Sequence, residues 1–272
     1  MCNNDGILVP APPLGDSEAR PRGMLVMAAT SLGLAADIPP RSLDALRNAD
    51  LLIFEEDRPA RSFLKAAGIF REYLKYNEHH QQDSLNQIRE ALKNRKMVVY
   101  MSDQGTPTLA DPGTAPIKLA WETGADIRVI PGPSSVTAAI SAAPFNCERF
   151  YFGGFLSRDH EVRNQELATI CSLGTSWVVM DTPYRLRALL DACEEIFPAD
   201  QRAMVALDIS GPHEDYWLGT FATLKKRAVE LDEKLNFVLI GEGRSPSIAS
   251  PQTDDVKVRH RTPFDASKKK RR

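Results

Sequence analysis

The chain has 272 residues, a formal net charge of −2, 43% hydrophobic residues and 26% charged residues. These values are typical of a soluble globular protein that is long enough for two domains of about a hundred residues each. No run of about eighteen apolar residues occurs and the first residues do not resemble a secretory signal, so the sequence predicts a cytoplasmic protein without a membrane span. The four cysteines, Cys2, Cys147, Cys171 and Cys193, show no paired spacing, so neither a metal site nor a disulfide framework is predicted.

Short apolar strands alternate with helices in the first half of the chain. The pattern predicts strands at 24–29, 51–55, 97–101 and 127–130, with helices near 40–48, 59–67, 84–93 and 114–123. This alternation is typical of a doubly wound α/β domain with a largely parallel sheet. A GxGxxG fingerprint is absent, so an ordinary Rossmann dinucleotide site is not supported.

The pattern restarts after Pro144, and we expect a second α/β domain with a mixed sheet. Strands are predicted at 150–152, 176–180, 203–208 and 237–240, and helices near 160–172, 184–195 and 221–230. With a boundary near 143–148, the predicted organisation is a loose extension at 1–22, an N-terminal α/β domain at 23–145, a C-terminal α/β domain at 146–243 and a disordered basic tail at 244–272.

A loop of Ser, Asp, Gly, Thr and Pro follows the strand at 97–101 and extends from Ser102 to Gly113. Its glycines allow close backbone approach, and its two prolines fix φ and stiffen the loop. Asp103 and Asp111 offer acceptors to backbone amides or to a ligand. Because ligands of open α/β sheets bind at the carboxyl ends of strands, the loop predicts a ligand site, although an Asp/Pro turn without a ligand remains an alternative.

A second stiff loop follows the strand at 127–130. It comprises residues 131–135, Pro-Gly-Pro-Ser-Ser, and leads into a helix of small residues. Ser134 or Ser135 can cap that helix, and either can equally bind a carboxylate at the helix N-terminus. The sequence leaves both interpretations open.

The two loops, in this order, resemble those of the tetrapyrrole methylase superfamily, whose members are S-adenosylmethionine-dependent methyltransferases with two α/β domains. The chain is most similar to the ribosomal RNA small subunit methyltransferase I family, which methylates ribose 2′-hydroxyls. Further matches are the loop at 29–33, the acidic turn at 54–58, the glycine-rich strand at 149–156 and the segment 180–186. The resemblance covers roughly residues 23–243.

The resemblance implies that S-adenosylmethionine binds in the cleft between the two domains. Carried over to this chain, the cofactor contacts are Ser31, Met101, Ser102, Asp103, Thr106, Ser134, Ser135, Met180, Ala206 and Leu207. The implied substrate contacts are Arg158 and Arg163, Arg185 is a further candidate for a substrate contact, and a homodimer is expected. No catalytic residue is assigned, because alignment of the nucleophile with an already activated methyl group carries most of the chemistry.

Several alternatives remain open at this level. If the chain is a methyltransferase, its methyl acceptor is ribosomal RNA, another RNA, a tetrapyrrole-like small molecule or a protein. Two other interpretations are a protein that binds the cofactor without turnover and a purely structural α/β protein. Arg185 contacts substrate or pairs with Asp181. The tail from 244 carries a charge of about +6, which leaves about −8 on the rest of the chain. This tail either keeps the protein soluble or attracts RNA.

Overall fold

The computed structural model describes residues 20–77, 81–109, 111–231 and 234–244. Its first half contains β1 (Met24–Ala28), α1 (Pro40–Asn48), β2 (Leu51–Phe54), α2 (Asp57–Ala66), β3 (Leu74–Lys75), α3 (Gln81–Lys93), β4 (Met97–Met101), α4 (Thr114–Thr123), β5 (Asp126–Ile130) and α5 (Ser135–Ala142). The predicted elements of this half are confirmed to within a few residues. The two-residue strand β3 was not predicted, since it is too short to produce a pattern.

The first sheet is entirely parallel, with the strand order β3-β2-β4-β1-β5. All residues of β1 and β4 are buried, because helices cover both faces of the sheet. One face packs Val26, Val99 and Phe54 into a core, and the other packs Leu25, Tyr100 and Ile88. Since β4, β1 and β5 are neighbours and point the same way, the loops that follow them meet at one edge of the sheet.

The second half contains β6 (Phe150–Phe155), α6 (His160–Leu173), β7 (Ser176–Asp181), α7 (Leu186–Ile196), β8 (Arg202–Leu207), β9 (Asp215–Thr220), α8 (Phe221–Glu230) and β10 (Phe237–Gly241). Its sheet has the order β6-β7-β10-β8-β9. The β6–β7 pair is parallel and β10 is antiparallel to both of its neighbours, so the mixed sheet is confirmed. Strand β9 was missed, because it lies at the sheet edge and only Trp217 in it is buried.

Helix α5 connects the two halves physically. It follows the last strand of the first sheet, yet its Val136 and Ala139 pack in one core with Val178, Met180 and Val238 of the second sheet. The turn that begins α5 is therefore held between the two sheets.

Within the described part of the chain, every helix is too short or too polar to cross a bilayer.

Candidate active site

A cleft of about 570 Å³ lies between the two sheets. This volume falls within the range of roughly 300–1,000 Å³ that is usual for small-molecule sites. One side, which we call the first wall, is formed by Leu32, Glu55, residues 102–106, Ser134 and Ser135. The opposite side, the second wall, is formed by Phe155, Met180, Asp181, Ala206, Asp208 and residues 236–238.

Most of the residues that the sequence predicted for a ligand site lie in this cleft. Those lining it are Ser102, Asp103, Thr106, Ser134, Ser135, Met180 and Ala206. Three others lie just behind the surface. Met101 and Leu207 are buried at the ends of β4 and β8, and Ser31 contributes its backbone carbonyl to the first wall's framework.

Hydrogen bonds between loops fix the shape of the first wall. The Thr30 amide donates to the Gly105 carbonyl at 2.9 Å, and the Gly105 amide donates to the Ser31 carbonyl at 3.1 Å. The Thr106 hydroxyl donates to the Pro133 carbonyl at 2.9 Å, which joins the loop after β4 to the loop after β5. Gly105 has φ +68°, where a side chain is strained. The loops that follow three neighbouring strands thus form one connected surface.

Asp111 and Asp103 have different roles in the loop after β4. The Asp111 carboxylate accepts from the Thr108 amide at 2.7 Å and from the Gly113 amide at 2.8 Å, so it closes the loop on itself. The bend holds Thr108 at φ 80°, a strained conformation for a β-branched residue. By contrast, Asp103 Oδ1 is buried and has no hydrogen-bond partner among the described residues. Asp103 therefore keeps an acceptor for a ligand.

The first wall is strongly acidic. Burial, together with repulsion from Asp111 and Asp103, raises the pKa of Glu55 to about 8. Burial also raises the pKa of Asp103, and burial beside Glu55 raises that of Tyr100. Because burial disfavours ionisation of both Glu55 and Asp103, these two carboxyl groups together favour a positively charged ligand. The sequence did not single out Glu55 as a site residue, although its position directly after a buried strand was an available signal.

Ser134 occupies the N-cap position of α5, but its side chain makes no hydrogen bond to the helix amides. The Ser135 hydroxyl lies 3.6 Å from the Met180 sulfur on the second wall. Capping therefore does not account for Ser134, and both serines line the cleft.

The two walls also touch at the cleft mouth. The Asn236 amide donates to Gln104 Oε1 at 3.3 Å, and a Cβ added to Gly33 would lie 2.8 Å from the Ser210 carbonyl oxygen. Asp208 and Ser210 there have φ 44° and 62°, so this turn of the second half adopts a strained shape next to the cleft.

The predicted substrate arginines gather behind the second wall. Arg185 pairs with Asp181 at 3.2 Å, as one interpretation of the sequence expected. It also donates to the carbonyls of Leu156 at 3.3 Å and Ser157 at 2.7 Å. Arg163 is only 6% exposed and donates to the Arg158 carbonyl at 3.3 Å, whereas the Arg158 side chain itself is exposed.

Comparisons with known proteins agree with this architecture. The family model described as Tetrapyrrole (Corrin/Porphyrin) Methylases matches residues 24–225. The chain is 31% identical over 208 residues to a ribosomal RNA small subunit methyltransferase I of Leptospira borgpetersenii, covering 75% of this chain and 82% of the relative. It is 27% identical over 224 residues to the protein of that name from Synechocystis, covering 82% and 80%.

Solved structures share the fold at low sequence identity. Diphthine synthase superposes with a TM-score of 0.64 at 18% identity, covering 81% of this chain and 90% of that one. Uroporphyrin-III C-methyltransferase of Thermus thermophilus, complexed with S-adenosyl homocysteine, gives 0.57 at 14% identity, covering 81% and 97%.

Proposed function

The chain belongs to the tetrapyrrole methylase family, in the branch of the ribosomal RNA small subunit methyltransferase I proteins, and from this premise we propose that it methylates a ribose 2′-hydroxyl of small-subunit ribosomal RNA. The methyl donor is S-adenosylmethionine. The observation that carries the proposal is the connected, acidic first wall with its unpartnered Asp103 oxygen, facing a second wall backed by arginines.

The chemistry of the first wall fits this donor. S-adenosylmethionine carries a positive sulfonium and a positive ammonium, and the wall offers the buried Asp103 acceptor beside Glu55. Its carboxylate needs donors, which the Ser134 and Ser135 hydroxyls supply at the start of α5. The adenine ring needs an apolar slot, which Met180 and Ala206 supply. When bound, the group supplies an electrophilic methyl.

In this proposal the cofactor contacts are the ones the resemblance implied. They are Ser31, Met101, Ser102, Asp103, Thr106, Ser134, Ser135, Met180, Ala206 and Leu207. Ser31, Met101 and Leu207 contribute through their backbone or by packing behind the lining residues, since they do not line the cleft themselves.

The methyl acceptor enters beside the second wall. The exposed Arg158 side chain there can pair with a phosphate of RNA, which is a strong, salt-sensitive contact. Arg163 and Arg185 act on the acceptor indirectly, since their guanidinium groups hold the backbone that carries Arg158. The residues position the acceptor hydroxyl and exclude water from it, which is the main contribution that such a transfer requires.

The same proposal includes a cytoplasmic location, where ribosomal RNA is available, and a homodimer. Light scattering of the purified protein at micromolar concentration measures the oligomeric state directly. A monomeric mass there would remove the dimer from the proposal without affecting the reaction.

Methyl transfer to RNA from cells that lack this protein tests the proposed activity. Purified enzyme is incubated with tritiated S-adenosylmethionine and small-subunit ribosomal RNA, followed by alkaline hydrolysis. A ribose 2′-O-methyl group blocks cleavage of the adjacent phosphodiester, so the label is expected in an alkali-resistant dinucleotide. Label in single nucleotides would indicate a base methylase, and label only in protein or metabolite fractions would overturn the RNA assignment.

A further inference from the structure

Strand β6 contains an irregularity that redirects its last residues. Along β6 and β7 the partners are Phe152 with Val178 and then Gly154 with Val179, so one extra residue, Gly153, is inserted. Gly154 has φ +63°, and a Cβ added to Gly153 would lie 2.9 Å from Val179 Cγ1. Both positions of this β-bulge therefore require glycine.

The bulge determines which way Phe155 points. Residues two apart share one face of a regular strand, so Phe152 and Phe155 would normally lie on opposite faces. Because of the extra residue, Phe152 pairs with Val178 and Phe155 pairs with Met180, two residues further along β7. The two phenylalanines therefore lie on the same face of the sheet. Val178 and Met180 lie in the core beneath α5, on the cleft face of the sheet. Phe155 lines the cleft accordingly and leaves 51% of its surface exposed.

The backbone after Phe155 is held by arginines. Arg185 binds the Leu156 and Ser157 carbonyls, and Arg163 binds the Arg158 carbonyl, so three consecutive carbonyl groups accept from guanidinium groups. The Ser157 amide also donates to Glu166 Oε2 at 2.9 Å. The bulge and these contacts hold Phe155 in place, and a ring that is already ordered loses little entropy when it binds a ligand.

We propose that Phe155 is a stacking platform for an unpaired nucleobase next to the methyl-accepting ribose, an inference that rests on the proposed function. Proteins recognise single-stranded RNA by stacking bases on exposed aromatic rings and pairing phosphates with nearby arginines. Phe155 supplies the ring, and Arg158, three residues further along the chain, supplies the cation. The platform selects unpaired RNA, because a base inside a helix has no free face.

Four variants test the platform against a simple packing role. Phe155→Ala and Phe155→Leu both remove the aromatic face, but Leu keeps an apolar side chain. Phe155→Trp keeps the face and enlarges it. Phe70→Ala is the matched control, because Phe70 is 90% exposed and is not among the cleft-lining residues.

The readouts are kcat and KM for the RNA substrate, RNA affinity by fluorescence anisotropy, and cofactor affinity by calorimetry. Loss of one stacked base predicts a rise of about tenfold or more in KM and in the RNA Kd for both Phe155→Ala and Phe155→Leu. Phe155→Trp and Phe70→Ala should stay within about threefold of the wild type, and cofactor affinity should be unchanged in all four, which also reports correct folding.

The outcomes separate the platform from the proposed function. If Phe155→Ala binds RNA as tightly as the wild type, or if Phe155→Leu has wild-type RNA affinity while Phe155→Ala does not, the stacking role of Phe155 is overturned. The proposed methylation of RNA is unaffected by either result. A wild-type enzyme that transfers no methyl to RNA overturns the proposed function instead. In that case the RNA affinities measured by anisotropy for the wild type and the Phe155 variants still test the stacking role of Phe155. If the wild type does not bind RNA at all, the stacking role is overturned as well.

Discussion

The two walls of the cleft are built by opposite means. The first wall gets its shape from backbone hydrogen bonds among loops that follow parallel strands, and it carries the carboxyl groups of Glu55 and Asp103, whose pKa values are raised. The second wall gets its shape from side chains, with Arg163 and Arg185 bound to carbonyl groups of the segment after β6. In the proposed reaction, the carboxyl groups of the first wall suit a positive cofactor, and the exposed Arg158 after β6 suits a polyanionic acceptor. The first wall therefore suits the charged end of the cofactor, whereas the second wall combines the adenine slot at Met180 and Ala206 with a neighbouring segment that suits the acceptor.

The largest effect is expected from Gly105→Ala, which disturbs the shape of the first wall. An added Cβ meets the Pro133 carbonyl oxygen at 3.1 Å and is strained at φ +68°. Strain and overpacking together cost on the order of 3 kcal/mol, which predicts about a hundredfold loss of cofactor affinity by calorimetry.

Gly124→Ala is the control for that substitution. Gly124 has nearly the same φ, +67°, at the end of α4, but nothing lies within 4 Å of an added Cβ. In Gly124→Ala the free energy of unfolding should fall by about 1 kcal/mol, and cofactor affinity should not change. Equal affinities in the two variants would show that the loop contact does not shape the cofactor site.

Removing the unpartnered acceptor of the first wall is the next largest change. Asp103→Ala should weaken cofactor binding by about 1–3 kcal/mol in calorimetry. Asp103→Asn keeps the shape but replaces a charge with a neutral amide, so it should lose affinity while RNA affinity is retained. Unchanged cofactor affinity in both variants would remove Asp103 from the site.

The raised pKa of Glu55 makes the first wall sensitive to pH. Between pH 4.5 and about 8 the unfolded carboxyl is ionised while the folded one holds its proton, so stability falls as pH rises through this window and levels off above it. Glu55→Gln should remove this part of the decline and raise the free energy of unfolding at pH 8 by about 1–2 kcal/mol, allowing for partial exposure.

Cofactor binding should be coupled to the same proton. A positive ligand lowers the pKa of Glu55, so binding releases a proton and affinity rises with pH up to about 8. Calorimetry in two buffers of different ionisation enthalpy measures the release. Identical heats in both buffers, for wild type and for Glu55→Gln, would contradict the coupling.

The smallest effect is expected at the exposed edge of the second wall. Arg158→Ala should weaken RNA binding several-fold and reduce the slope of log K against log salt by about one, as for a lost phosphate contact. Arg128→Ala, on an exposed position of β5 outside the cleft, is the control. A slope that changes equally in both variants would point to general charge rather than a specific contact.

The sequence predicted the first wall better than the second. Parallel strands that end in Gly/Pro loops give a local signal, so the sequence predicts Ser102, Asp103 and Ser134 as site candidates, and all three line the cleft. Glu55 was missed because its role depends on Asp103 and Asp111, which are distant in sequence.

The second wall depends on pairings that no local pattern encodes. The bulge at Gly153 appears only when β6 is aligned with β7. The resemblance predicted Arg163 as a substrate contact, and Arg185 was a candidate with pairing to Asp181 as the alternative. The backbone carbonyl groups that both arginines bind depend on the packing of α6 and of the segment after β7. Strand β9 was missed because an exposed edge strand has weak apolar alternation.

The position of helix α5 limits how the enzyme can open. Its Val136 and Ala139 are embedded in the second sheet's core, while the turn before it is bonded to Thr106 of the first sheet's loop. A hinge motion that separated the two sheets would have to pull α5 out of the second sheet's core or break the hydrogen bond between Thr106 and the turn before α5. We therefore expect turnover to proceed without a wide swing of the two halves.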